Sequence, residues 1–143
     1  MTLNKVIFDV DGTLMDIEHR RHFVTDGNND WKSFMDPKIM QGDTPNQPVV
    51  DIALQLRDAG AEIVVVSARN ERHREVTEHQ LRKANIEFAH LFLRDDDEFK
   101  KDVLDALLAA DWKPDLVFDD RNRVVSMWRA NGIPCFQVAE GDF

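Results

Sequence analysis

Apolar runs and amphipathic stretches alternate along this chain, and the alternation predicts strands that are each followed by a helix. Runs of apolar, often β-branched residues predict buried strands at 5–10, 61–66, 88–93, 114–118 and 133–138. Apolar residues at helical spacing predict helices at 48–58 and 69–84 and two further helices, whose apolar stripes begin at Phe99 and Val124. Because strands and helices take turns, we expect an α/β domain, with a five-stranded parallel sheet and helices on both faces.

One long segment, residues 15–48, interrupts this alternation between the first strand and the first full helix. Glycine, asparagine and proline recur in it, so only short helices are expected, at 16–23 and 30–35. An α/β enzyme carries a lid or substrate loop at such a point, and the segment is too short for a large independent cap domain. The basic run around Arg20 is either a solvated helix face or a phosphate-binding site, and Arg20 and Trp31 are the first residues to test.

Length and composition restrict the class of protein. The 143 residues suffice for one domain with its own core, and 43% hydrophobic with 31% charged residues is typical of a globular chain. No apolar run approaches the roughly eighteen residues of a membrane span, and no secretory leader is evident. The single cysteine, Cys135, excludes a disulfide within the chain, is better explained as a small buried residue than as a nucleophile, and indicates a reducing cytoplasm.

The charge of the chain limits what it can bind. There are 18 Lys and Arg against 27 Asp and Glu, which gives a net charge of −9. Such a chain is a poor candidate for binding long nucleic acid through a broad basic surface, because neutralisation of phosphates dominates that binding. A small anionic substrate, or the end of a strand, is still compatible with a local basic pocket and a metal ion.

Polar side chains follow four of the predicted strands, at the point where each strand ends. They are Asp9 with Asp11, Ser67, Arg94 with an acidic turn, and Asp119 with Asp120, while Lys100 and Lys101 follow the third strand. The carboxyl ends of parallel strands meet at one edge of a sheet. Carboxylates brought together there repel one another, and Mg²⁺ would relieve the repulsion because it takes oxygen ligands and a substrate phosphate. Each acid taken singly is better explained by a turn or a helix cap than by a ligand role, so the prediction depends on the whole set.

The acidic turn at 95–98 has two explanations. Acids at the start of a helix are favoured by the helix dipole, and this is sufficient to account for them. Calcium binding by the three consecutive aspartates is the less favoured explanation, because the ligand spacing of a calcium loop is missing.

The same elements resemble, in order, the four motifs of haloacid-dehalogenase-type phosphatases. The motifs are Asp9-Val-Asp11-Gly-Thr13, Ser67 after an apolar strand, a lysine, and Asp119-Asp120. More narrowly, the chain is similar to the 3′-phosphatase domain of phage-type polynucleotide kinase-phosphatases. That likeness is carried by Val-Val-Val-Ser67-Ala-Arg69, Phe-Asp119-Asp120-Arg121, Trp128-Arg129 and the ending Gln-Val-Ala-x-Gly-Asp-Phe. It covers nearly the whole chain and implies the Rossmann-like fold of the superfamily in one domain, 1–143, with 15–48 as a minimal cap.

The resemblance also implies a role for each matching residue. Asp9 is similar to the nucleophile that forms an aspartyl-phosphate, and Asp11 to the general acid and base, whose pKa we expect the neighbouring carboxylates to raise. Lys100, with Lys101 as the alternative, would offset charge on the phosphoryl group. The implied magnesium ligands are Asp9, the carbonyl of Asp11, Asp119 and Asp120. The candidate substrate-binding residues are Thr13, Ser67, Arg69, Arg20 and Arg121.

We therefore expect a magnesium-dependent phosphomonoesterase that acts on the 3′-phosphate end of a nucleic acid or on a nucleotide. The small lid favours the large substrate, whereas the net charge of −9 favours the alternative, a nucleotidase for nucleoside monophosphates. An aspartate at position 11 favours phosphomonoester hydrolysis over dehalogenation or ATP-driven transport. No Gly-x-x-x-x-Gly-Lys-Ser/Thr loop is present, so kinase activity is not expected. Neither a membrane nor a stable protein partner is implied.

Two alternatives that are not enzymes use similar residues. A signalling receiver domain also places acids, a hydroxyl and a lysine on a five-stranded α/β sheet. It needs its acids early and its acceptor aspartate in mid-chain, whereas here the double acid follows the fourth strand. A catalytically silent binding domain would not need the complete set of acids. Loss of aryl phosphate hydrolysis in Asp9→Asn, with the fold intact, would separate an enzyme from both.

Overall fold

A computed structural model describes residues 3–94 and 100–143 of the chain. In chain order the strands are β1 (Lys5–Phe8), β2 (Met15–Asp16), β3 (Thr44–Pro45), β4 (Glu62–Asn70), β5 (His90–Arg94), β6 (Leu116–Asp119) and β7 (Cys135–Gln137). The α-helices are α1 (Glu18–Arg21), α2 (Trp31–Phe34), α3 (Pro37–Met40), α4 (Gln47–Asp58), α5 (Arg74–Lys83), α6 (Lys100–Ala109) and α7 (Asn122–Ala130). A 3₁₀ turn, Glu71–His73, precedes α5. Within the described ranges, none of the helices has both the length and the apolar character needed to span a membrane.

Five strands form one parallel sheet in the order β5-β4-β1-β6-β7, with β1 at the centre. Phe8 of β1 is in register with Val65 of β4 and with Phe118 of β6, and the rings of Phe8 and Phe118 stack at 4.6 Å. The carboxyl ends of β1, β4 and β6 therefore meet in the middle of one sheet edge, which is where open α/β sheets bind ligands. The predicted α/β fold with a five-stranded parallel sheet is confirmed.

Both faces of the sheet are covered, as the apolar pattern of β1 requires. Successive side chains of a strand point to opposite faces, and Val6 and Ile7 of β1 are both fully buried. Val6 packs in a cluster with side chains of α4 and α5, among them Leu81. Ile7 packs in a second cluster with side chains of α6 and α7, among them Leu104 and Trp128. Burial on both faces explains why β1 is apolar throughout rather than alternating.

Several predicted boundaries differ from the observed ones. β4 continues to Asn70, so Arg69 lies on a strand and not in a helix, and α5 begins at Arg74 rather than at 69. The register between β4 and β5 shifts after Ser67, and this irregularity carries the end of β4 beyond the regular ladder. β1 ends at Phe8, two residues earlier than predicted, because the chain turns at Asp9. The calcium alternative at 95–98 lies outside the described residues.

The segment between β1 and α4 has more regular structure than its composition predicts. β2 and β3 form a short antiparallel pair, and α3 was not expected. Asp30 accepts a hydrogen bond from the N–H of Ser33 and caps α2, as Asp36 does for α3. Ile17, Val24 and Phe34 form a small core of their own, beside the ends of the sheet strands.

Candidate active site

Three buried carboxylates meet where β1 and β6 end. They belong to Asp9, Asp119 and Asp120, which are 5%, 1% and 2% exposed and are called the acid cluster below. The backbone N–H of Asp9 donates to the carbonyl of Phe118 at 3.0 Å, which fixes Asp9 next to Asp119. One carboxylate oxygen from each of the three lies within 4.8 Å of the other two. A single cation could therefore contact all three.

The carboxylate of Asp120 is tightly packed against the backbone of Gly12. Oδ2 of Asp120 is buried and has no hydrogen-bond partner among the described residues. An unpartnered carboxylate oxygen is costly in a protein interior unless a cation or water meets it. Gly12 has a φ of +77°, and a Cβ there would lie 2.0 Å from Oδ2 of Asp120, so a side chain at this position would collide with the carboxylate. The all-oxygen donor set, with one oxygen left over, fits a hard divalent cation such as Mg²⁺.

The crowding of acids changes their protonation. Burial, followed by the charge of Asp119, raises the pKa of Asp9 well above its ordinary value, although Lys100 opposes the shift. Burial and the charge of Asp119 also raise the pKa of Asp120 to about 6. A bound cation would lower both pKa values, because it favours the ionised forms. The acid cluster is thus short of positive charge.

The two candidate lysines have different surroundings. Nζ of Lys100 donates to Oδ1 of Asp9 at 2.7 Å and to Oδ2 of Asp119 at 2.8 Å, and its side chain is 9% exposed. Burial alone would lower the pKa of Lys100, but the charges of Asp119 and Asp9 outweigh burial and raise it. Nζ of Lys101 instead contacts Asp105 on the same helix, in an exposed pair. The structure thus places Lys100, and not Lys101, on the acid cluster.

Two hydroxyl groups accompany the acids. Thr13 is fully buried and donates from Oγ1 to Oδ2 of Asp9 at 3.2 Å. Ser67 is buried at the irregularity of β4, where its Oγ accepts the N–H of Arg69 at 3.1 Å, and it lines the same cleft as Asp9. Both candidates therefore lie where the sequence predicted them, at the carboxyl ends of central strands.

The side chain of Asp11 lies on a pair of arginines and is not part of the acid cluster. Nη2 of Arg20 and Nη2 of Arg69 each donate to Oδ1 of Asp11 at 2.7 Å. Both guanidinium groups also donate to Oδ2 of Asp43, at 2.6 and 2.9 Å respectively. Asp11, Arg20, Asp43 and Arg69, called the arginine cluster below, place two cations against two anions. That the carbonyl of Asp11 binds a metal stays a prediction.

The two arginines are fully buried, and other buried groups take up their remaining donors. Nη1 of Arg20 donates to the carbonyl of Phe34 at 2.9 Å. Nη1 of Arg69 donates to Thr77 at 3.0 Å and to Gln80 at 2.7 Å. The interpretation of Arg20 as part of a solvated helix face is therefore wrong. That Arg20 and Arg69 bind substrate stays a prediction, and the contacts seen here are to carboxylates, hydroxyl, amide and carbonyl groups of the protein.

The arginine cluster overturns one expectation about Asp11. We expected neighbouring carboxylates to raise its pKa. Burial does act in that direction, but the charges of Arg69 and Arg20 and their hydrogen bonds outweigh it, and the pKa of Asp11 falls to about 2. The two arginines come from positions 9 and 58 residues away along the chain, so their effect could not be read from the local sequence. Asp11 is therefore ionised in the resting protein.

Arg121 follows Asp120 and is held between aromatic rings. Its guanidinium lies 5.4 Å from the ring centroid of Trp31 and 5.4 Å from that of Phe143. Nε of Arg121 also donates to the carbonyl of Phe143 at 2.5 Å. Gly141 lies against the same loop, where a Cβ would be 1.8 Å from the carbonyl oxygen of Asp120. Residues 139–143, the C-terminal clasp, thus contact both the backbone of Asp120 and the side chain of Arg121.

The acid cluster opens into a cleft of about 640 Å³. Its far wall is apolar and aromatic, and contains Trp31, Phe34, Met35, Met127 and Phe143. Arg94, Arg121 and Arg123 also line it. The cleft therefore offers anion-binding groups beside a surface for a flat apolar group.

Sequence reasoning missed several residues of this site. Asp43 gives no motif or spacing signal, and its partners lie 23 and 26 residues away along the chain. Trp128, which the sequence offers only as part of a matching motif, donates from Nε1 to Oδ2 of Asp119 at 3.2 Å. Phe143 belongs to the matching C-terminal ending, which gives it no role of its own. In each case the role arises from a contact in the folded chain, which a single sequence does not display.

Comparison with known proteins identifies a matching family and two similar structures. A family model described as the polynucleotide kinase PNKP phosphatase domain matches residues 3–143. A chain of the Pnkp1/Rnl/Hen1 RNA repair complex is 32% identical over 99% of this chain, with a TM-score of 0.75. A chain of a second Pnkp1/Rnl/Hen1 structure is 31% identical over 100% of this chain, with a TM-score of 0.74. This chain spans 44% and 48% of those two chains, which is less than half of their length.

More distant structures share the fold. A putative phosphatase from Clostridium difficile is 18% identical, with a TM-score of 0.73, and the match covers 100% of this chain and 89% of that one. The class C acid phosphatase from Bacillus anthracis is 16% identical, with a TM-score of 0.70, covering 98% and 68%. A parallel sheet with an acid-rich cleft at its carboxyl edge, together with these matches, defines a phosphatase of the haloacid dehalogenase superfamily. Within that superfamily, the chain belongs to the family of the polynucleotide kinase PNKP phosphatase domain.

Proposed function

We propose that this protein is a magnesium-dependent phosphomonoesterase that works through an aspartyl-phosphate on Asp9. The observation that carries the proposal is the acid cluster with Lys100: three buried carboxylates, one ammonium and one unpartnered oxygen, on Asp120. Such a group has excess negative charge until a cation enters, and it then attracts a phosphate. Membership of a phosphatase-domain family supports the same reaction.

Asp9, Asp119 and Asp120 would hold Mg²⁺, together with the carbonyl of Asp11. The ion would offset negative charge on the phosphoryl group and keep Asp9 ionised. Lys100 contributes to both effects from the protein side, because its ammonium already lies between Asp9 and Asp119. Thr13 holds the second oxygen of Asp9 and so orients the first.

In the first step, an oxygen of Asp9 attacks phosphorus while the bond from phosphorus to the leaving alkoxide breaks. Asp11 protonates that alkoxide and, in the second step, takes a proton from the water that attacks the aspartyl-phosphate. The resting pKa of about 2 leaves Asp11 ionised, as a base must be, but makes it a weak base and opposes the first task. A phosphate dianion beside Asp11 adds negative charge, which raises the pKa of Asp11 and lets it hold a proton. We therefore place the protonation of Asp11 after substrate binding.

Ser67 and Arg121 are the proposed contacts to the substrate, because both line the cleft. For Arg20 and Arg69 we propose a positioning role, since each donates two or more hydrogen bonds to carboxylates of the arginine cluster. In this role they keep Asp11 ionised and directed at the cleft. Residues 15–48 act as a small lid within one domain, since Trp31, Phe34 and Met35 form part of the cleft wall.

The substrate class that we propose is the 3′-phosphate end of a nucleic acid. The aromatic wall of the cleft matches a nucleoside next to the scissile phosphate, and the flanking arginines match further phosphates. The two relatives that are 31% and 32% identical come from structures of Pnkp1/Rnl/Hen1, one of them described as an RNA repair complex. A nucleotidase acting on mononucleotides is the second candidate, favoured by the net charge of −9.

A substrate panel tests this proposal. Phosphate release would be measured from 3′-phosphorylated oligonucleotides, from nucleoside 3′- and 5′-monophosphates and from an aryl phosphate, with Mg²⁺ and with a chelator. We expect hydrolysis only with Mg²⁺ and the highest kcat/KM on the oligonucleotides. Activity confined to the monophosphates would instead establish the nucleotidase, and equal activity in chelator would contradict the metal site.

Two further expectations stay predictions. The single buried thiol, Cys135, is compatible with the cytoplasmic location that we propose. The sequence implies no stable protein partner, whereas the 31% and 32% identical relatives are chains of Pnkp1/Rnl/Hen1 complexes. Size-exclusion chromatography with light scattering would measure the state of the isolated chain.

A further inference from the structure

A second concave surface lies on the other side of the arginine cluster from the catalytic cleft. It is a groove of about 820 Å³ between α3 and α5, and it shares no lining residue with the cleft. Its floor includes Asp43, His73 and Gln80, each 8% exposed. Gln80 joins the two walls, because its Nε2 donates to the carbonyl of Met40 at 2.7 Å. The groove is thus part of the fixed structure around the arginine cluster.

The rim of this groove is basic, although the chain as a whole carries −9. The cationic lining residues are Arg72, Arg82 and Lys83, of which Arg82 is paired with Glu78, and His73 and His79 also line the groove. The two acids that line it are Glu75 and Asp43, and Asp43 is already matched by two buried arginines. Arg72 and Lys83 form no ion pair with any residue in the described ranges, so their charge is available to a ligand. A local excess of positive charge against the sign of the chain attracts anions.

The charged residues of the rim follow one another along α5 and the turn before it. Arg72 is the sequence neighbour of His73, which is buried and also lines the groove. On α5, Val76, His79 and Lys83 are three or four residues apart and so share one face of the helix. From Arg72 to Lys83 this basic face is about 16 Å long, at roughly 1.5 Å per residue. A single anion would occupy only a small part of it.

We propose that this groove binds the sugar-phosphate backbone of a single-stranded nucleic acid whose 3′ end lies in the catalytic cleft. The proposal rests on the function proposed above and adds a second contact area for the same substrate. Successive phosphates of one strand are on the order of 3.4 Å or more apart along the axis, so the basic face spans several of them. Ala68 lines the cleft and Arg72 lines the groove, and four residues of chain span at most about 14 Å. One strand can therefore reach both.

The test compares two double variants of equal charge. Arg72→Gln/Lys83→Gln removes two cations from the groove. Lys5→Gln/Lys113→Gln removes two cations from the opposite edge of the sheet. Lys5 is the first residue of β1, and Lys113 lies three residues before β6. Binding of fluorescently labelled single strands of about 4 and about 16 nucleotides, all with a 3′-hydroxyl, would be measured by anisotropy over a range of salt concentrations. Because a strand with a 3′-hydroxyl has no terminal phosphate to hydrolyse, the assay measures binding alone.

For the groove variant we expect tenfold or greater weakening for the long strand and little change for the short one. Its plot of log K against log salt should flatten by about 1.4, since each lost phosphate contact on a single strand removes about 0.7. The edge variant should bind as the wild type does, and both variants should hydrolyse an aryl phosphate normally. Equal losses in both variants, or none in the groove variant, would overturn the proposal. If no 3′-phosphorylated end is hydrolysed while the binding difference persists, the proposed reaction fails and the groove stands.

Discussion

The acid cluster and the arginine cluster lie side by side, are buried except for the partly exposed Asp11, and differ in charge balance. The acid cluster has three carboxylates against the single ammonium of Lys100. The arginine cluster has two carboxylates against two guanidinium groups, and each nitrogen of both guanidinium groups donates to a protein acceptor. The first has excess negative charge, whereas the charges of the second are balanced within the protein. This difference supports the proposal of metal binding and chemistry at the first, and of control of Asp11 by the second.

The most damaging single change on the acid side is Asp9→Asn. It removes the nucleophile, so we expect kcat on an aryl phosphate to fall by on the order of 10⁴-fold or more. It also removes one charge from a cluster with excess negative charge, so the metal-free protein should unfold at the same or a higher temperature. Both quantities can be measured on one preparation. Retained turnover would refute the assignment of Asp9 as the nucleophile.

On the arginine side, Asp43→Asn should act chiefly on stability. It leaves two buried guanidinium groups facing a single carboxylate, and breaking a buried pair costs about 3–5 kcal/mol. Urea denaturation would measure the free energy of unfolding. Asp105→Asn, which removes the exposed partner of Lys101, is the matched control and should cost less than about 1 kcal/mol. Similar losses in both variants would contradict the special status of Asp43.

The two lysines provide a narrower comparison. Lys100→Met removes the ammonium that contacts Asp9 and Asp119, and we expect kcat to fall by about 10²–10³-fold, as for loss of a charge-stabilising donor. Lys101→Met should change kcat by less than about threefold, because its partner is on the outer surface of α6. Steady-state kinetics on the aryl phosphate would measure both effects. A larger loss of kcat in Lys101→Met than in Lys100→Met would assign the catalytic role to Lys101 instead.

The charge imbalance also predicts a dependence of stability on pH. The folded pKa of Asp120, about 6, exceeds its usual 3.8, so its contribution is complete below about 3.8 and is lost as pH rises through 6. The folded pKa of Asp11, about 2, is depressed from 3.8, so its contribution is present above 3.8 and is lost as pH falls toward 2. Without metal, the urea midpoint should therefore rise between pH 7 and pH 5. Asp120→Asn should flatten this rise, and Mg²⁺ should oppose it because the ion binds the ionised form.

The smallest expected effect concerns the C-terminal clasp. Phe143→Ala removes one of the two rings around Arg121, and a cation–π contact at a partly exposed site contributes about 0.5–1 kcal/mol. We expect KM for a 3′-phosphorylated oligonucleotide to rise about 2- to 5-fold with kcat unchanged. Phe136→Ala, which removes an exposed ring away from Arg121, is the control. An equal rise in KM for the control would show that the effect is not specific to the clasp.

The sequence predicted the parts of the site that lie at strand ends. Asp9, and likewise Asp119 with Asp120, directly follows an apolar strand. Because parallel strands bring their carboxyl ends to one edge of the sheet, this pattern places the three acids at that edge. The sequence could not predict the contacts of Asp43 or of Phe143. Both residues lie in segments with no periodic pattern, one between β1 and α4 and the other at the C-terminal end. The pKa of Asp11 was predicted wrongly for the same reason. Its nearest charges are Arg20 and Arg69, and their side chains reach it only in the folded chain.

The anchoring of the lid has a consequence for its motion. Arg20, the carbonyl of Phe34 and Asp43 are all tied to the arginine cluster, at three points along the lid. If residues 15–48 moved outward as one body, the buried guanidinium of Arg69 would lose its partner Asp43. Because separating a buried ion pair has a large free-energy cost, we do not expect this movement during turnover. On the proposal that residues 15–48 form a lid, we expect movement in the spans between the anchors, 21–33 and 35–42. Access to the cleft would then depend on the short span that carries Trp31, and not on the opening of a domain.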